Sequence, residues 1–294
     1  MITSKPNILL IVTDTQRWDT LRCMGNPNAI SPSLDRLAGE GVLFDQAHTS
    51  SPVCMPARCC LMSGLHTPIH GCVENGIRRR DDLPFMTDFL AEAGYTNIMV
   101  GKAHFGPIPE SFHVRHITKG EKGRDSDDFY AEHIRQHGYS RASAHPNDIP
   151  EELFMDAFLV DTTIESIETA KEQGDAPFFA LCSLPSPHGP VDPPGRWASC
   201  YEGVPLPEIN YRDGEIEDHP THLRRLVGTL EPEANVGGDG YSKLNETREK
   251  IDEFRRLYYG LAAYCDHQIG RLIDYLDRSG LRENTLVIFT SDNG

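Results

Sequence analysis

The chain has 294 residues, 38% of them hydrophobic and 24% charged, a composition that excludes global disorder and leaves room for one large domain or two modest ones. Its 28 Lys and Arg against 44 Asp and Glu give a formal net charge of −16, which argues against a nucleic-acid surface because phosphate binding depends on clustered cations. No apolar run approaches the length of a membrane span, so neither nucleic acid nor membrane is expected as a partner, and an anionic substrate must meet positive charge concentrated locally.

The first apolar run, PNILLIV from Pro6 to Val12, reads as a strand buried on both faces of a parallel sheet, with Asp14 at its carboxyl end. Only five consecutive apolar residues precede the polar TDTQ, too few for a signal peptide, so the expected location is cytoplasmic. SPSLDRLAGEG follows with a full set of helix punctuation: Ser31 as N-cap, Pro32 at the first helical position and Gly41 past the end. VLFDQAH, Val42 to His48, reads as a second strand.

Next comes SPVCMPARCCLMSG, from Ser51 to Gly64, leading into an apolar helical run. Eight cysteines stand at 23, 54, 59, 60, 72, 182, 200 and 265, without a C-x-x-C pair or the spacing of a disulfide scaffold. Most read as small buried hydrophobes, Cys59 and Cys60 included, and Cys54 alone has neighbours that point to chemistry. The block Arg78, Arg79 and Arg80 reads as a solvated turn balanced by Asp81 and Asp82. The pairs His66/His70 and His133/His137 stand four apart but lack the glutamate or nearby cysteines of a zinc motif.

LPFMTDFLAEAGY is a short amphipathic helix stopped by Gly94, and TNIMVGKAHFG is a strand running into Lys102 and His104. Leu153, Ala157, Val160, Ile164 and Ile167 recur at helical spacing; APFFALCSLPSPHGP then supplies a strand and a loop carrying His188. A second long helix is traced from Ile251 to Leu276, before a last strand in TLVIFTSDNG. Residues 105–150 and 201–250, polar and rich in turn formers, read as insertions near the substrate mouth, and Asn245-Glu246-Thr247 is a weak match to a glycosylation acceptor. Strand and helix alternate throughout, which predicts an α/β, doubly wound, mostly parallel sheet with helices on both faces. Because Gly294 directly follows a strand and two polar residues, a further strand edge and helix are expected beyond it, as in a C-terminally truncated fold.

Asp14, Cys54 with Arg58, Lys102 with His104, His188, and Asp292 with Asn293 each stand near the end of an apolar run, and open α/β sheets bind ligands beyond the carboxyl ends of their strands. Together they offer oxygen ligands for a hard divalent cation, proton-carrying groups and one candidate nucleophile, a set suited to attack on an anionic ester. Taken singly, an Asp after a strand is ordinarily a turn former or a helix cap, and Asp292-Asn293-Gly294 would serve as a turn.

CMPAR resembles the Cys-x-Pro-x-Arg signature of type I sulfatases, formylglycine-dependent members of the alkaline phosphatase superfamily. PNILLIVTD is similar to that family's first metal strand, GYTNIMVGKAHFG to its Gly-Lys-x-His strand, PSPHGP to its histidine loop and TSDNG to its second metal motif, in matching order over the whole chain. The resemblance implies an alkaline phosphatase-like fold, with residues 1–294 forming the N-terminal catalytic domain. It implies that Cys54, oxidised to formylglycine by a modifying enzyme that reads Pro56 and Arg58, lends an oxygen to a Ca²⁺ or Mg²⁺ ion held by Asp14, Asp292 and Asn293. Arg58 would stabilise the aldehyde hydrate, Lys102 would bind a sulfate oxygen, and His104 and His188 would handle protons and sulfate contacts. Asn75, in GCVENG, falls where the choline sulfatase and phosphonate hydrolase branches carry an active-site Asn.

The chain departs from the family pattern in Thr15 and Gln16, which replace a second carboxylate and leave the metal site weaker or completed by Gln16, and in Ala57 and Ala103. A family lysine beyond the DNG segment has no counterpart within these residues. The expected activity is hydrolysis of a small-molecule or carbohydrate sulfate ester. A phosphonate monoester or phosphodiester hydrolase and a non-catalytic binding relative are the alternatives.

Overall fold

The computed structural model describes residues 5–118, 129–139, 148–209, 212, 214–221 and 248–294. Five strands form one sheet: β1 (Asn7–Asp14), β2 (Thr96–Lys102), β3 (Val114–Thr118), β4 (Phe178–Pro187) and β5 (Thr285–Ser291), ordered β3-β2-β4-β1-β5 with every neighbouring pair parallel. The helices are α1 (Pro32–Glu40), α2 (Cys54–Ser63), α3 (Thr67–His70), α4 (Met86–Glu92), α5 (Phe129–Gln136), α6 (Met155–Glu172), α7 (Glu215–Asp218) and α8 (Arg248–Arg278).

Alternate side chains of each strand point to opposite faces, so a strand needs apolar residues at both parities to be covered on both sides. Leu9, Ile11, Ile98, Val100, Ala180 and Cys182 face one layer, where α6 and α8 pack with α1 and α5; Leu10, Val12, Met99, Phe179 and Leu181 face the other, against α2 and α4. This is the doubly wound arrangement with helices on both faces that the alternation of elements predicts. All the carboxyl ends point the same way, toward one rim.

Three local readings need correction. Val42 to His48 is not a strand: these residues are irregular and exposed, with Val42 79% and Phe44 74% accessible. A strand requires a partner for its row of N–H and C=O groups, and among the described residues the sheet ends at β5. Ser31 precedes α1 as expected, but its hydroxyl does not cap the helix; the Asp266 carboxylate, from the middle of α8, accepts the Ser33 and Leu34 N–H groups at 3.0 and 2.8 Å. Arg78 and Arg80 pair in solvent with Asp81 and Asp82, whereas Arg79 is buried over the Phe85 ring and donates to the Pro107 carbonyl at 3.0 Å.

The segment 105–150 contributes β3, an edge strand that its polar composition conceals, together with α5. Its residues 119–128 and 140–147 lie outside the described residues, as do 222–247 of the second expected insertion, Asn245 among them.

Candidate active site

The side chains expected at the site meet at the carboxyl rim. Asp14 closes β1, where the pairing with β4 slips between Val12 and Asp14, and it is wholly buried. Cys54 is the first residue of α2, and Arg58 stands one turn further on. Lys102 closes β2 with His104 just behind it; Asp292 and Asn293 follow β5; His188 follows β4. Two residues other than glycine adopt positive φ among the described residues, Thr15 at 58° and His104 at 47°, both at this rim. Strain of that kind persists where surrounding contacts enforce it.

Arg58 organises the cluster. Its guanidinium, 3% exposed, donates from NH2 to Asp14 Oδ2 at 3.1 Å, from Nε to Asp292 Oδ2 at 2.7 Å, and from NH1 to the Lys102 carbonyl at 3.1 Å and Ser183 Oγ at 2.7 Å. The Lys102 ammonium also donates to Asp14 Oδ2. Two buried carboxylates thus face two buried cations, which compensates charge in a region of low dielectric. Burial alone would raise the Asp14 carboxyl, yet Lys102 and Arg58 outweigh it and hold that carboxyl well below the usual carboxylate range. Burial raises Asp292, against the pull of Arg58 and helped by its neighbour Asp14. The two carboxyls are therefore driven apart, with Asp14 the firmly ionised one.

The Cys54 thiol donates to Asp14 Oδ1 at 3.4 Å and receives the Asn293 amide at 3.5 Å. Burial first, and then the Asp14 carboxylate, push it above the ordinary thiol range, so as a plain cysteine it is a weak nucleophile. One ligand atom each from Asp14, Cys54 and His188 lies within 4.8 Å of the others, close enough to share an ion. Asp292 joins this trio through the Arg58 guanidinium, and through Asn293, whose Nδ2 donates to Asp292 Oδ1 at 2.9 Å. His104 is lowered to about 4, by burial and then by Lys102 and Arg58, so its ring is neutral near pH 7; its Nδ1 is buried without a hydrogen-bond partner. Asn75 is exposed, and its Oδ1 accepts the Met55 N–H at 3.1 Å, which steadies the first turn of α2 beside Cys54.

Ser183 escapes sequence reasoning because it lies within an apolar strand; besides receiving Arg58, it donates to the Lys102 carbonyl at 2.7 Å. A hydroxyl inside a strand buried on both faces was the available signal. Cys59 packs in the core beneath α2, and Cys60 meets His70 Nε2 at 3.2 Å. With His70 Nδ1 accepting the Cys72 N–H at 3.1 Å, both nitrogens of that ring are engaged within the loop, while His66 stays exposed.

The parallel sheet whose strand ends gather carboxylates, buried cations and a helix-terminal cysteine is the alkaline phosphatase-like arrangement that the resemblance implies. A family model described as Sulfatase matches residues 6–294, and the chain belongs to the sulfatase family. It is similar to the arylsulfatase of Clostridium perfringens, 28% identical over 318 aligned residues that take in 99% of this chain and 63% of that protein. It is also similar to the ulvan-active sulfatase of Formosa agariphila, 28% identical over 294 aligned residues, 99% of this chain and 51% of that protein. Among solved structures, the phosphonate monoester hydrolase of Agrobacterium radiobacter superposes with a TM-score of 0.83 at 26% identity, over 98% of this chain and 62% of that one. The chain thus spans 51 to 63% of the length of the curated relatives described. No helix among the described residues is long and apolar enough to cross a membrane.

Proposed function

We propose that the chain is the catalytic part of a sulfuric ester hydrolase that works through formylglycine at position 54 and a divalent ion. The observation that carries this reading is the position of Cys54: first residue of α2, within ligand distance of Asp14 and His188, with Arg58 one turn behind. Converted to formylglycine, position 54 offers a hydrate with two hydroxyls on one carbon, chemistry that permits attack on sulfur and later release of sulfate without water attacking sulfur.

The donor set fits a hard cation. Asp14, Asp292, Asn293 and the oxygen gained at position 54 would hold Ca²⁺ or Mg²⁺, and oxygen ligands favour those ions over zinc. Gln16, buried two residues beyond Asp14, leaves its Oε1 without a hydrogen-bond partner, an oxygen that would complete the set in place of a second carboxylate. When bound, the ion supplies Lewis acidity and charge neutralisation at the ester.

The remaining roles fall to side chains described above. Arg58 keeps both carboxylates oriented. Lys102, 6% exposed and aimed at the same carboxylate, presents its ammonium to a sulfuryl oxygen. His188 engages the Gly189 carbonyl through Nδ1 at 2.8 Å, which leaves its other nitrogen for the leaving alcohol, while neutral His104 serves as a hydrogen-bond partner rather than a fixed charge. Asn75 lies beside the helix terminus where a substrate would enter.

The test is full-length protein produced with a formylglycine-generating enzyme. Mass spectrometry of the peptide spanning Cys54 should show conversion of thiol to aldehyde, and turnover of an aryl sulfate should accompany it; active protein retaining the thiol would reject the proposal. The similarity to a phosphonate monoester hydrolase supports a second reading on the same site. Faster kcat/KM on an aryl phosphonate monoester than on the matching sulfate would select it. Sulfated carbohydrates stand first among natural substrates to try, since the relatives described include an ulvan-active sulfatase.

A further inference from the structure

Asp156, in the first turn of α6, is wholly buried. Its Oδ2 accepts the Ser186 hydroxyl at 2.5 Å, while its Oδ1 has no hydrogen-bond partner. After burial, the influences on this carboxyl are hydrogen bonds from the Ser186 side chain and backbone and from its own backbone, with no cation among them. A buried carboxyl without a cation is costly, and the positive end of a helix offsets only part of that cost. A neutral or apolar residue would serve packing better, so the acid calls for another explanation.

Its partner Ser186 lies two residues before His188. Within the turn, His188 N donates to the Pro185 carbonyl at 3.1 Å and His188 Nδ1 meets the Gly189 carbonyl at 2.8 Å, while Pro187 still pairs with Asp14 of β1. An open surface depression lined by Tyr130, Phe154, Met155, Ser186, His188 and Asp192 lies against the turn. Residues 185–187 are themselves buried, and the bond from Ser186 to Asp156 ties the segment just before His188 to α6.

We propose that Asp156 is a positioning residue of the active site: through Ser186 it fixes the turn of residues 185–190 so that the His188 ring faces Asp14 and Cys54. The consequence for turnover rests on the function proposed above, whereas the orientation of His188 does not.

The experiment compares full-length, formylglycine-converted wild type with D156N, D156A and S186A. D156N keeps an oxygen able to accept the Ser186 hydroxyl and should hold kcat within about threefold, while D156A and S186A should lose on the order of 10- to 100-fold in kcat with little change in KM. Independently of activity, NMR signals of the His188 ring, assigned through H188N, should shift or broaden in D156A and S186A, stay in place in D156N, and leave the His70 ring unchanged. If D156A fails to fold, S186A alone decides. Unchanged His188 signals and unchanged kcat in S186A, whatever the melting temperatures, would overturn the proposal. Wild type inert on sulfate and phosphonate esters would defeat the functional reading, and the NMR comparison would still decide this one.

Discussion

At the scale of single residues, Arg58 couples stability to chemistry, because one buried guanidinium satisfies Asp14, Asp292, Ser183 and the Lys102 carbonyl. Arg58→Ala leaves two carboxylates buried with Lys102 as their remaining cation, and breaking a buried pair from one side costs about 3–5 kcal/mol. Urea denaturation in the presence of a chelator should show that loss. Added Ca²⁺ should restore more stability to the variant than to wild type, since the ion replaces the missing charge; equal responses would count against a cation site at these carboxylates. Cys54→Ala removes a thiol that bonds only weakly to Asp14 and Asn293, so its melting temperature should stay close to wild type. Turnover should fall by on the order of 10⁴-fold or more, the scale of losing a nucleophile, and reagents that label aldehydes should no longer react.

At the scale of elements, Gly101 permits the close approach of β2 and β4 next to the site. It has φ of +102°, and a Cβ there would lie 2.0 Å from the Ser183 carbonyl oxygen, a backbone atom fixed in the sheet. Gly101→Ala should cost at least about 3 kcal/mol, from positive φ and the clash together, and displace Lys102, so kcat should fall as well; a variant with wild-type denaturation would mean that the strands part easily. The sheet itself is largely legible in the sequence: β1, β2, β4 and β5 announce themselves as apolar runs ending in polar residues, and those endings are Asp14, Lys102, His188 and Asp292. What stays hidden depends on partners distant in the chain. Val42 to His48 has the composition of a strand but no neighbour to pair with among the described residues, β3 has a neighbour but a polar composition, and the cap of α1 comes from Asp266 rather than Ser31. Ser183 and Asp156 are invisible for the same reason, since their roles exist only once β4 lies beside β2 and α6.

At the scale of the whole molecule, buried titratable groups pull stability in opposite directions with pH, and Asp266 shows how to separate them. Burial raises its carboxyl from 3.8 to about 6, despite the Ser33 and Leu34 N–H groups that favour its charged form. The folded state therefore holds this proton more tightly than the unfolded chain. Its stabilising contribution is full below about pH 4 and is lost as pH rises through 6. Asp156, also raised to about 6, behaves the same way. His104 does the reverse: lowered from 6.5 to about 4, it favours the folded state above pH 6.5 and loses that contribution as pH falls. The windows overlap, so the total curve conceals each part, and a difference between variants is needed. Asp266→Asn removes one titration while keeping an acceptor for one of the two N–H groups. The stability advantage of wild type over this variant, measured by urea denaturation with a chelator present, should shrink by about 2.5 kcal/mol between pH 4 and pH 7, a little under two pKa units' worth. A gap that stays constant or widens as pH rises would mean that the α8 carboxylate enters the fold already charged, with the first turn of α1 compensating its burial in full.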